Sequence, residues 1–313
     1  MDSPIPTELA RTVTALYKTD GVAWLARLPD IIAGYERRWS LTTLPPFAPL
    51  TYNYVAPALR ADGTDAVLKV GFPNTELLNE IETLRRYDGV GFVRLLEADA
   101  DGGALLLERL RPGTMLAQLE DDERATSVAA GVMRRLRLNA PEKHDFPTVA
   151  RWAEGFSRLR RHFKGATGPF PARLVETAET LFAELLASSD APVLLHGDLH
   201  HYNILAAARD GWLAIDPKGV IGEPAYEVGA LLRNPLPQLL RAPQPSRTLA
   251  RRVDQLSAEL NFDRARVVGW ATAQAVLSAW WSFEDEGGGH EPALACAQLL
   301  ANTATLRAPT RRL

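Results

Sequence analysis

His196-Gly197-Asp198-Leu199-His200-His201-Tyr202-Asn203, with Asp216 thirteen residues beyond Asn203, offers a carboxylate, an amide and a second carboxylate in the order that phosphoryl transfer needs. In a kinase catalytic loop an Asp orients and deprotonates the acceptor hydroxyl. An Asn five residues later and an Asp on the next hairpin hold the metal ions that neutralise the phosphates. The local pattern fits this geometry. Val193-Leu194-Leu195 is a short apolar run, while Asn203-Ile204-Leu205 and Trp212-Leu213-Ala214-Ile215 read as strands joined by the turn signal Asp210-Gly211. Asn203 and Asp216 are therefore expected near the open end of one hairpin, within reach of the loop that carries Asp198.

Upstream, 50–59 and 66–70 read as strands around the turn Asp62-Gly63, after a mostly helical stretch over 1–40. Lys69 lies inside the second strand. Only five of the 35 basic residues are lysines (Lys18, Lys69, Lys143, Lys164 and Lys218), so a lysine in an apolar run invites an explanation. Pro73-Asn74-Thr75 opens a helix with apolar positions Leu77, Ile81 and Leu84. Glu80 falls on that inward stripe, whereas Glu82 is turned roughly 200° from it. An acid aimed at the core needs a cation, and Lys69 is the natural partner. Such a pair lets a kinase direct a lysine at the α- and β-phosphates. A plain edge-strand charge is the rival reading of Lys69; Glu80 favours the pair.

Strands are expected at 91–97 and 104–110, and Pro112-Gly113-Thr114 is expected to end the sheet. The backbone from Glu108 to Leu110 then stands where a kinase hinge meets the adenine edge, an assignment by position alone. Beyond Met115 the period is helical, at about 122–138, 149–163, 172–188, 225–233, 247–260, 263–284 and 291–305. The helix from Asp263 is apolar on nearly every face to Trp281, which marks a buried spine. The expected class is α+β, with an N-terminal nucleotide-binding lobe over 1–111, begun by a helical extension. A C-terminal catalytic and substrate-binding lobe is expected over 112–313.

Composition narrows the partners. A net charge of -3 over 313 residues offers no basic field for nucleic acid. The single cysteine, Cys296, excludes an internal disulfide framework, reads as helix packing and fits a reducing cytoplasm. No basic-then-apolar leader, no run approaching the ~20 apolar residues of a membrane span and no internal repeat is legible. A cytoplasmic monomer without nucleic-acid or membrane partners is expected.

Taken in order, strand lysine, helix glutamate, His-x-Asp-x-x-x-x-Asn and Ile-Asp resemble the aminoglycoside phosphotransferases, small-molecule kinases with a protein-kinase-like two-lobe fold. That fold joins a small antiparallel β-sheet lobe with a helix to a larger, mainly helical lobe. The stretches 195–205 and Trp212-Leu213-Ala214-Ile215-Asp216-Pro217-Lys218-Gly219-Val220-Ile221-Gly222-Glu223-Pro224-Ala225-Tyr226-Glu227 are similar to the streptomycin 6-phosphotransferase branch, the aminoglycoside/hydroxyurea antibiotic resistance kinases. The similarity runs from about Tyr35 to Trp281 and is strongest between 193 and 234.

The resemblance implies ATP and Mg2+ as cofactors and a small cationic substrate. It makes Asp198 the catalytic base, Asn203 and Asp216 the magnesium ligands, and Lys69 the phosphate lysine with Glu80 as its partner. It makes His196 and Glu227 braces of the loop. The reaction implied is transfer of the γ-phosphate to an aminoglycoside hydroxyl, foremost the 6-hydroxyl of streptomycin, which confers antibiotic resistance. A kinase of hydroxyurea or an amino alcohol, or a non-catalytic pseudokinase, is the alternative.

Departures from protein kinases are informative. Tyr52-Asn53-Tyr54-Val55 stands where a glycine-rich loop would be, and Gly197 replaces the arginine before the catalytic Asp. Seven residues between Asp216 and Pro224 are too few for an activation loop, and Pro217-Lys218 replaces Phe-Gly. The expectation is a constitutively active enzyme with a small diffusible substrate.

His196, Asp198 and His200 alternate, and with His201 they also suit a metallohydrolase. That reading leaves Lys69, Glu80, Asn203 and Asp216 unused. For the substrate, Glu284, Asp285 and Glu286 follow Trp280-Trp281; carboxylates beside the Trp281 face suit a guanidinium. A solvated acidic turn before Gly287 is the plainer alternative. The acids at 120–123 are explained by the helix macrodipole.

Overall fold

The structure, a computed structural model, describes residues 5–189 and 191–303, apart from the side chain of Glu286. The chain divides into two compact units, Met1–Gly113 and Thr114–Leu313.

The first unit opens with α1 (Thr7–Arg38), a helical run broken at Lys18, where φ is 51° and ψ -127°. It continues through β1 (Leu41–Thr43), β2 (Asn53–Arg60), β3 (Asp65–Gly71), α2 (Thr75–Tyr87), β4 (Leu95–Asp99) and β5 (Ala104–Glu108). The strands form one antiparallel sheet in the order β1-β2-β3-β5-β4. Alternation sorts its side chains. Ala66, Leu68 and Val70 of β3 join Leu9, Trp24 and Leu28 of α1 in one core, which sends Lys69 to the opposite face. Asn74 caps α2 as its motif predicts, its side chain accepting from the Leu77 N–H at 2.9 Å.

Two expectations shift here. The strand predicted from Gly91 begins only at Leu95: Phe92 and Val93 are buried in a loop after Gly91, whose φ is +72°. Phe92 keeps an isolated β-bridge, but the apolar pattern here marked burial rather than a continuous strand. The three-residue β1 is too short to leave a period in the sequence.

At the sequence junction, Pro112–Met115 forms a further strand, β6, where the end of sheet structure was expected. The second unit then runs through α3 (Asp122–Arg135), β7 (Leu138–Asn139), α4 (Val149–Trp152), α5 (Glu154–His162), α6 (Ala172–Ala187), β8 (Val193–Leu195), β9 (Ile204–Ala207), β10 (Gly211–Ala214) and β11 (Val220–Gly222). A 3-10 turn, Pro224–Glu227, leads into α7 (Val228–Leu232), followed by α8 (Gln238–Arg241), α9 (Pro245–Leu260), α10 (Arg264–Glu286) and α11 (Glu291–Thr303). The single helix expected at 149–163 is two, joined at Ala153, and the one at 225–233 starts as the 3-10 turn.

The spine is α10: Trp270, Ala271, Val276, Leu277 and Trp280 are all buried, and α6, α7 and α11 pack around it. Cys296 is buried on α11, its thiol pushed up to about 12 by burial, as a packing residue should be. Asp121 and Asp122 do structural work as well. Asp121 caps α3 through the Arg124 N–H at 3.0 Å, and Asp122 pairs with Arg251 and Arg252 of α9.

Candidate active site

Lys69 and Glu80 meet in the first unit. Nζ lies 2.7 and 2.6 Å from the two carboxylate oxygens, and each residue is 5% exposed. Strand alternation and the inward stripe of α2 bring them together. Glu108 closes β5, its backbone N–H on the Arg94 carbonyl at 3.0 Å and its carboxylate accepting from the Arg94 N–H at 2.8 Å. Leu110 follows, buried. Tyr52-Asn53-Tyr54-Val55 leads into and begins β2, with Tyr52 exposed.

In the second unit the loop after β8 is fixed by its own backbone. Glu227 accepts the N–H groups of His196 at 2.7 Å and Gly197 at 3.0 Å, one on each carboxylate oxygen. Burial pushes its carboxyl up to about 7, against the pull of those amides. His196 donates from Nε2 to the Ile215 carbonyl at 2.8 Å and accepts the Asp198 N–H on Nδ1 at 3.2 Å, a tautomer assigned from its partners. Burial draws its pKa down to about 4, so the ring is neutral. Both nitrogens are thus engaged within the fold, which removes His196 as a metal ligand. Among the described residues no three His, Cys, Asp or Glu side chains gather as a metal cluster.

Gly197 is required twice over. Its φ is +86°, and a Cβ there would lie 2.8 Å from the Trp152 ring and 2.9 Å from Val220. Asn203 and Asp216 stand at the open end of the β9–β10 hairpin, as expected from its turn: Ala214 pairs with Ile204, and the Ile215 N–H donates to the Asn203 carbonyl at 3.0 Å. Asp210 and Gly211 carry positive φ, 58° and 74°, as a tight hairpin demands. Asn203 spends its Nδ2 on the Asp198 carbonyl at 3.1 Å, so Oδ1 is the donor it can offer a cation. Asp216 adopts left-handed φ of 60°, which re-aims the chain after the strand. The segment 217–223 then returns as β11 against β8, with Val220 opposite Leu195.

Asp198 is partly exposed, and its carboxylate is held by two neighbours. Arg233 Nη2 lies 3.0 Å from Oδ1, and His200 Nε2 lies 3.5 Å from Oδ2. Burial opposes ionisation, but His200, Arg233 and Lys218 outweigh it and hold the carboxyl well below the usual range. Sequence reasoning missed Arg233. In a chain where arginine is the default cation, nothing in its local pattern sets it apart.

Of the candidate substrate residues, Glu284 and Asp285 belong to the last turn of α10, not to a loop, with Gly287 capping the helix. The Glu286 side chain lies outside the described residues. Glu284 is gripped by Arg158 at 2.7 and 2.9 Å. An open cavity of about 710 Å³ beside it is lined by Arg158, Arg161, His162, Trp280, Phe283 and Glu284, so its carboxylate is outnumbered by guanidiniums. Trp281 stands edge-on to Trp152 at 5.4 Å, and Trp152 in turn abuts Gly197.

The solved aminoglycoside phosphotransferase APH(4)-Ia matches this chain with a TM-score of 0.64, covering 89% of it and 100% of that structure at 12% identity. That likeness speaks for the fold alone, and the fold is protein-kinase-like. The sequence matches define the class, that of the small-molecule phosphotransferases. They are more specific still: the chain belongs to the aminoglycoside/hydroxyurea antibiotic resistance kinase family, whose family model matches residues 38–287. It is 34% identical over 290 residues to a streptomycin 6-kinase of Streptomyces glaucescens, spanning 92% of this chain and 94% of that one. It is also 34% identical over 293 residues to a hydroxyurea phosphotransferase of Kitasatospora aureofaciens, spanning 90% and 81%.

Proposed function

We propose that this kinase transfers the γ-phosphate of ATP to a hydroxyl of an aminoglycoside, the 6-hydroxyl of streptomycin first, and so confers resistance. The observation that carries the reading is the braced loop: an ionised Asp198 on a backbone fixed by Glu227, with Asn203 tied to the same loop. Asp198 orients the acceptor hydroxyl and takes its proton, and Lys69, aimed by Glu80, binds the nucleotide phosphates. Unit Met1–Gly113 is then the nucleotide-binding part and Thr114–Leu313 the catalytic and acceptor-binding part.

Asn203 and Asp216 offer an amide oxygen and a carboxylate, hard donors of the kind Mg2+ takes, so the residues fit that ion. When bound, it neutralises charge on the phosphates. Trp281 and Trp152 pack edge to face near the loop, and a ring face there would suit a guanidinium-bearing acceptor. Glu284 would have to exchange Arg158 for such a group, and Asp285 stands exposed in the same turn. The enzyme proposed is a cytoplasmic monomer; among the described residues no helix is long and apolar enough to cross a membrane.

Because a hydroxyurea phosphotransferase shares the same 34% identity over slightly less of this chain, hydroxyurea is the second acceptor to weigh. ADP release over a panel of streptomycin, other aminoglycosides, hydroxyurea and simple amino alcohols decides between them. Turnover of streptomycin with phosphate on the 6-hydroxyl is expected. Turnover of hydroxyurea or an amino alcohol without streptomycin would replace the acceptor, and no turnover at all would reject the enzyme.

A further inference from the structure

Arg233 lies outside the motif residues that the sequence singled out, yet it reaches the candidate base. Nη2 contacts Asp198 Oδ1 at 3.0 Å and Nη1 donates to Gln274 Oε1 at 3.1 Å, with the side chain only 12% exposed. A pair this sheltered is little screened, and a charge-assisted hydrogen bond holds its geometry.

The backbone under Arg233 is fixed on both sides. Its N–H donates to the Gly229 carbonyl at 3.2 Å, closing α7, and Asn234 Nδ2 donates to the Ala230 carbonyl at 2.9 Å. The Asn234 carbonyl accepts from Arg252 Nη1 at 2.6 Å, and Arg252, 3% exposed, is itself anchored on Asp122. Glu227 stands six residues earlier in the same segment and holds the backbone of His196 and Gly197.

We infer that Arg233 is a positioning residue: it fixes Asp198 by one carboxylate oxygen and so presents the other to the acceptor hydroxyl. One short segment, 224–233, then sets both the backbone and the working side chain of the loop. Asp198 Oδ2 meets His200 Nε2 at 3.5 Å, a looser contact than the one to Arg233, and is the oxygen for which substrate would compete. The role rests on the phosphotransferase reading of Asp198. The competing account makes Arg233 a strut that ties α7 to α10 through Gln274.

Steady-state ADP release and urea unfolding on Arg233→Met, Arg233→Lys, Asp198→Asn and the Arg233→Met/Asp198→Asn double variant separate the two. Arg233→Met is expected to lower kcat about 100-fold through misplacement of the carboxylate, with KM for ATP within about twofold of wild type. Arg233→Lys recovers part of the rate, since it keeps the charge and loses the fork. On the Asp198→Asn background, Arg233→Met adds no further loss of kcat, and the unfolding midpoints of the two substitutions are non-additive. A kcat within threefold of wild type in Arg233→Met, or an undiminished extra loss on the Asp198→Asn background, would overturn the role. A wild-type enzyme that releases no ADP with any acceptor rejects the phosphotransferase reading instead. Additive unfolding effects would reject the contact itself.

Discussion

At the scale of single residues, the two ion pairs of the candidate site differ in how far the protein has removed them from water. Lys69 and Glu80 are both 5% exposed, so neither tolerates loss of the other. Lys69→Met leaves a buried carboxylate without its cation, a change that costs roughly 3–5 kcal/mol when one partner of a buried pair is deleted. The expected outcome is a lowered unfolding midpoint together with a raised KM for ATP. An unchanged KM would detach Lys69 from the nucleotide. Asp198 is the more exposed acid and, on the proposed function, the one that meets substrate. Asp198→Asn keeps the shape and removes the base, so kcat is expected to fall by about 10²–10⁴ while the fold persists. Full activity in that variant would show that the proton leaves by another route.

At the scale of elements, the candidate catalytic loop owes its shape to a turn and a short helix elsewhere in the chain. Pro224–Glu227 delivers a carboxylate to two backbone N–H groups, and both bonds need an acceptor. Glu227→Gln keeps one acceptor but turns an NH2 toward an N–H donor, so one bond becomes a repulsion. Loss of a buried partner of this kind costs about 1–3 kcal/mol. The loop should tilt, and kcat should fall by about 100-fold, the cost of a misplacement near 1 Å. A variant with wild-type kcat and unfolding midpoint would show that His196 and Val220 hold the loop without it. The β9–β10 hairpin works differently. Its tight turn sets the register that brings Asn203 and Asp216 to the same end of the hairpin.

For the molecule as a whole, acid stability is the readable consequence of the buried site. His196 and His201 are neutral in the fold, with burial drawing them down to about 4 and about 3. Neither ring nitrogen of His201 finds a hydrogen-bond partner among the described residues. Unfolded histidines take up protons below about 6.5, so each subtracts about 1.4 kcal/mol per pH unit as pH falls below that value. Glu227, pushed up to about 7, works the other way, because the folded state takes up its proton before the unfolded chain does. Two protons against one leave a net loss of about 1.4 kcal/mol per unit between about pH 6.5 and 4.5. Urea midpoints over that window should decline, and His201→Gln should nearly flatten them. A flat wild-type profile would show that the histidines are not held neutral.

Much of this was legible in the chain because it is written in short-range pattern. The Asp198-to-Asn203 spacing, the Asp210-Gly211 turn, the Asn74 cap and the Lys69–Glu80 pair all depend on residues close in sequence, where the periods of strand and helix fix direction. The apolar sweep of α10 likewise announced its burial. Tertiary structure alone decided which distant side chains became partners. Arg233 reaches Asp198 across 35 residues, and Arg158 claims Glu284 across 126, which turns an acid expected to wait for substrate into one half of an ion pair. Trp152 comes to rest against Gly197 for the same reason. Periodicity tells a residue which way to face, but its partner is chosen by how separate elements pack, and no local pattern encodes that choice.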